Sequence, residues 1–160
     1  MRRNVWPLAM LLAAGLLGSA CEDATEGQEI YTTTLSGSNE VPARSTAASG
    51  FSQIIIDGDR VHYAIQVDDL ENITAAHIHT GASGTNGPVR VTFFPNDLHP
   101  QRLSVNDSTI LADGTFTAAN VSGISFADLL AAIRNGTAYV NVHTTLYPGG
   151  EIRGQLTRAN

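Results

Sequence analysis

The chain has 160 residues, 42% hydrophobic and 15% charged, and nine basic residues against 15 acidic ones give a formal net charge of −6. That composition supports one globular domain plus a leader and excludes a disordered chain. Every basic residue is arginine, and with Arg2 and Arg3 set aside at the start the remainder is acidic without a basic stripe, which argues against nucleic acid and anionic membrane surfaces as direct partners.

Met1-Arg2-Arg3 is a short positive region, Val5 to Leu17 is apolar apart from Pro7 and Gly15, and Gly18-Ser19-Ala20 are small. This pattern reads as a secretory signal peptide over residues 1–20, since a transmembrane anchor needs about 20 apolar residues. Cys21 is the only cysteine, so no intrachain disulfide forms. Leu17 to Cys21 resembles a bacterial lipobox, which implies that Cys21 is lipidated as the first residue of the mature protein. Gly18 departs from that pattern, standing where Leu is commonest. The alternative is an ordinary signal peptide with an incidental Cys21. Residues 21–27 are polar and read as a tether, leaving 28–160 as the domain.

Glu29 to Leu35 is rich in β-formers and predicts a first strand, with a turn at Ser36-Gly37-Ser38-Asn39. Ser49 to Asp57 and Arg60 to Val67 predict a hairpin around Gly58-Asp59. Asp68 to Asn72 reads as a polar connection to the strand that holds His77 and His79. Thr80 to Pro88 is a loop by its glycines, and Val89 to Phe94 is another strand. Pro95 to Gln101 is irregular and contains His99. Ser108 to Ala112 and Thr115 to Ala119 predict a second hairpin around Asp113-Gly114. One helix is expected, with Ser125 as N-cap, Phe126, Leu129, Leu130 and Ile133 at helical spacing, and Asn135-Gly136 as the stop. Thr137 to Thr144 and Glu151 to Thr157 are the last strands. The fold class is all-β: about eight antiparallel strands in a Greek-key-like β-sandwich with one short connecting helix.

In Ala76-His77-Ile78-His79 the two-residue period of a strand puts both imidazoles on one face, about 7 Å apart. In Asn141-Val142-His143 the same period puts Asn141 beside His143. Neutral imidazole suits copper and zinc, and three ligands with an open position form a reactive metal site. The competing reading makes these histidines polar structure, hydrogen-bonded to Glu151, Arg153 and the Gly81–Gly87 loop. Glu151 and Arg153, two apart on one strand face, read as an ion pair, with a general acid and its electrostatic helper as the alternative. Asp57, Asp59, Asp68 and Asp69 bracket one hairpin, and both turn chemistry and a calcium site fit them. His62 reads as exposed, and His99 as an unsupported extra ligand. The Gly81–Gly87 loop lacks the Lys and following helix of a phosphate loop.

Asn39-Glu40-Val41-Pro42, Ala76-His77-Ile78-His79 with Gly81, Tyr139 to Thr144, and Pro148-Gly149-Gly150-Glu151-Ile152-Arg153-Gly154-Gln155-Leu156 together resemble a CHRD domain, the module repeated in chordin and found singly in bacterial secreted proteins. The resemblance runs from about Thr32 to Leu156. It implies an extracytoplasmic β-sandwich of immunoglobulin-like appearance and little about activity. His77-Ile78-His79 also resembles the His-x-His strand of copper/zinc superoxide dismutase, but the five histidines here include no equivalent of that enzyme's second metal cluster. The expected function is an extracytoplasmic binding module, held to a membrane by its lipid alone and coordinating copper or zinc through His77, His79 and His143, with Asn141, Glu151 and Arg153 in support. The alternative is a metal-free cell-envelope domain binding protein or glycan. A superoxide dismutase-like oxidoreductase is the least favoured reading.

Overall fold

The computed structural model describes residues 27–94, 103–105 and 107–159. The leader, Cys21 and His99 lie outside the described residues. Ten strands form: β1 (Glu29–Ser36), β2 (Ser49–Asp57), β3 (Arg60–Asp68), β4 (Leu70–Thr80), β5 (Val89–Phe94), β6 (Leu103–Val105), β7 (Thr109–Phe116), β8 (Ala138–Thr144), β9 (Ile152–Gln155) and β10 (Thr157–Arg158). A single α-helix, α1 (Phe126–Arg134), lies between β7 and β8. All pairings are antiparallel, in the order β5-β4-β8-β9-β1-β2-β3-β7, with β10 beside β1 and β6 beside β4.

The path divides where β9 meets β1, because only Ser36 and Arg153 pair there. On one side lie β5, β4, β8 and β9; on the other lie β1, β2, β3 and β7. The alternating strands turn Leu35, Ile54, Ile65, Ile78, Val140, Val142 and Ile152 into the space between, all fully buried. At the far end Tyr63 of β3, Phe93 of β5 and Phe116 of β7 stack with centroids 4.4 to 6.3 Å apart, nearly closing the sandwich into a barrel. Helix α1 begins there, with Phe126 6.4 Å from Phe116, and runs on against β8 and β10. The Ser125 hydroxyl accepts from the Asp128 amide, and Leu129, Leu130, Ala132 and Ile133 are buried.

Three expectations about the elements are corrected. Asp113-Gly114 is no hairpin turn but the middle of the continuous strand β7, paired to β3 through Tyr63↔Gly114. The glycine makes room for a ring, since a Cβ there would stand 3.1 Å from the Tyr63 hydroxyl. Asp68 to Asn72 is no polar connection: β3 runs to Asp68 and β4 starts at Leu70, which is fully buried against β6. The last strand breaks at Leu156, and Glu151 precedes it. The nine-residue strand β3 also separates Asp57 and Asp59 from Asp68 and Asp69 by about 30 Å, so those four carboxylates do not share one calcium ion.

Candidate metal centre

The register of β4, β8 and β9 builds one polar face opposite the core. His77 pairs with Asn141, and Asn141 with Arg153; His79 pairs with Tyr139, and Tyr139 with Gln155; Ala75 pairs with His143. Paired residues in a sheet point to the same side, so all of these side chains share one surface. The register of β4 against β5 shifts between Ala76 and His77 and again between Ile78 and His79, and bulges of this kind re-aim side chains.

The face is polar and still covered. The loop between β4 and β5 folds across it. His79 is 7% exposed, Asn141 3%, and Tyr139 and Arg153 2% each; His77 and His143 are half-buried. Gly87 is the keystone of the loop. Its carbonyl accepts from His79 Nδ1 at 2.8 Å, and its amide donates to the Tyr139 hydroxyl at 3.0 Å. A Cβ at Gly87 would fall 1.7 Å from the Thr80 carbonyl oxygen, so no other residue fits.

The three histidines come together. One ring nitrogen from each lies within 4.8 Å of the other two, and His77 Nδ1 stands 3.0 Å from His143 Nε2. A tetrahedral zinc ion with bonds of 2.0–2.1 Å spaces its nitrogens by about 3.4 Å, between those two values. The tautomers follow from the partners. His79 Nδ1 donates to Gly87 O, and His143 Nδ1 donates to Pro148 O at 3.0 Å, because a carbonyl only accepts. Both Nε2 atoms therefore carry lone pairs, and His79 Nε2 is buried with no hydrogen-bond partner. His77 Nδ1–H donates to His143 Nε2.

Electrostatics keep the rings neutral, the form that binds metal. Burial, then His143 and His79, pushes the His77 pKa down to about 4. Burial is also the main cause lowering His143 and His79, and Arg153 and Arg90 add to it at His79.

The supporting residues take different parts. Glu151 and Arg153 form no ion pair; among the described residues the one ion pair is Glu29–Arg134. Glu151, ahead of β9, accepts from Thr46 at 2.7 Å and Thr144 at 2.6 Å, which ties a loop to the end of β8. Arg153 donates to Thr85 O, Ala82 O and Asn86 Oδ1 and lies 3.4 Å above the Tyr139 ring. Tyr139 in turn stacks on His79 at 4.9 Å with an interplanar angle of 4°, so Arg153, Tyr139 and His79 form one column. His62 stands apart on β3, exposed and bonded to Thr115. Sequence reasoning passed over Glu40, which is 5% exposed and lies beside Asn141; its one signal was its place in Asn39-Glu40-Val41-Pro42.

Three imidazoles thus lie together on the covered face of an antiparallel β-sandwich. The CHRD domain matches residues 31–156, and the chain belongs to the CHRD-domain family, which suggests an extracellular binding module. Comparison with curated proteins gave no match, and neither did comparison with solved structures.

Proposed function

We propose that this protein is an extracytoplasmic module, lipid-anchored through Cys21, that holds copper or zinc through His77, His79 and His143. The observation that supports the metal reading is the orphan His79 Nε2, a buried lone pair aimed into a cluster whose other rings are oriented by Pro148 and by each other. A buried acceptor without a partner is costly, and a cation among the three rings removes the cost. A bound cation would take the place of the proton between His77 Nδ1 and His143 Nε2, and His77 would then carry its single proton on Nε2 instead of Nδ1.

A metal-free reading, in which the domain binds protein or glycan at the cell envelope, draws on the outer face of β1, β2 and β7. Ile30, Phe51 and Ile110 are 37%, 43% and 49% exposed there. Elemental analysis after loading with copper or zinc and desalting separates the two. The metal reading predicts near one ion per chain, lost in the combined His77→Ala, His79→Ala, His143→Ala variant. Equal retention in both proteins, or none in either, removes it. Retained metal with no turnover of superoxide removes the dismutase-like reading.

A further inference from the structure

Asn141 occupies the middle of the cross-strand row His77, Asn141, Arg153. Its amide reaches two groups, the His79 ring and the Glu40 carboxylate. The point where a side chain on Gly150 would begin lies 2.3 Å from Glu40 Oε1 and 2.8 Å from Asn141 Nδ2. The Nδ2 end of the amide therefore lies on the Glu40 side, where Glu40 Oε1 has no hydrogen-bond partner of its own. That leaves Oδ1 on the His79 side, buried and without a hydrogen-bond partner. His79 Nε2 is in the same condition, its Nδ1 proton already committed to Gly87. Two buried acceptors thus stand together, and neither can donate to the other. A cation, as an electron-pair acceptor, satisfies both at once, and the nearest ring nitrogens of His77 and His143 bring the donors around it to four.

Resting on the reading of the three imidazoles as metal ligands, we infer that Asn141 is the fourth ligand and closes the site with its amide oxygen. Each of three ligands then has an acceptor behind it: Gly87 O behind His79, Pro148 O behind His143, and the Glu40 carboxylate behind Asn141. Such outer partners fix ligand orientation, and losing one typically costs 10–100-fold in metal affinity. Three imidazoles and an oxygen suit a divalent borderline cation, zinc(II) or copper(II). Copper(I) prefers softer ligands. A filled fourth position also marks a holding site, because catalytic zinc keeps a water there.

The test compares the full chain with its Asn141→Leu and Asn141→Asp variants, titrating zinc(II) and copper(I) against chromophoric chelators. Asn141→Leu is expected to weaken zinc(II) by about tenfold or more and to change copper(I) by less than about threefold. Asn141→Asp keeps an oxygen at that position and is expected to hold zinc more tightly than Asn141→Leu. Equal zinc affinity in Asn141→Leu and wild type overturns the assignment of Asn141 and leaves the imidazoles in place, and equal loss of both ions overturns it as well. A wild-type protein that binds neither ion overturns the three-imidazole reading beneath it. If Asn141→Leu does not fold, the water-proton relaxivity of the copper(II)-loaded wild type decides. A closed site gives no inner-sphere exchange, and a fast-exchanging coordinated water overturns the assignment.

Discussion

His77 shows what residue-scale electrostatics do to this face. Burial of the ring, and after it the nearness of His143 and His79, opposes a second proton, so its pKa falls to about 4. His79 and His143 move the same way, mainly through burial. The unfolded chain protonates these rings below about 6.5 and the folded one resists, so the unfolded state binds more protons. Stability is therefore full above about pH 6.5 and falls progressively as the pH drops toward 4. Glu40, whose carboxyl burial pushes up, runs the other way and loses stability as the pH rises above about 4.5. Three rings outweigh one carboxyl, so metal-free protein is predicted to lose denaturant stability steadily from pH 6.5 to 4.5. The triple His→Ala variant is predicted to show a much flatter profile, and parallel profiles would refute the assignment. The histidines were legible in sequence because a period of two is visible over three residues. Asn141 was legible for the same reason. Glu40 was not, because it comes beside Asn141, 101 positions further along the chain, only when its own loop closes over the sheet.

At the scale of elements, the loop from Gly81 to Pro88 turns a polar sheet face into a covered site. It is held by Arg153 to Ala82, Thr85 and Asn86, and by His79 and Tyr139 to Gly87. Gly87→Ala sets a Cβ against the Thr80 carbonyl, and we expect a loss of about 2 kcal/mol or more together with loss of bound metal, read by denaturant melts and metal analysis. Ser125→Ala, which removes the α1 cap far from this face, should cost about 1 kcal/mol and leave metal retention unchanged. The helix was readable because capping and periodicity are local signals. The strands that misled were those where a local signal served a distant partner. Asp113-Gly114 spells a turn but accommodates Tyr63, and the polar residues Asp68 to Asn72 surround Leu70, whose burial depends on β6.

For the whole molecule, binding of an ion to the folded state alone raises stability by about 2.7 kcal/mol at a hundredfold excess over Kd, so loaded protein should melt higher than metal-free protein. The triple His→Ala variant should show no such rise. Cys21→Ser is predicted to move the protein from the membrane fraction to the soluble one, and unchanged fractionation would remove the lipid anchor. The β-sandwich and the family were legible because the alternation and the motif from Gly149 to Leu156 extend along the chain. The covering of the site was not, since it arises from contacts between the strands and a loop without regular pattern. The central claim is tested most directly by zinc-edge X-ray absorption on the zinc-loaded protein. The account predicts three imidazoles with Zn–N of about 2.0–2.1 Å. A zinc environment of oxygen with one imidazole or none, or a spectrum unchanged in the triple variant, would contradict it.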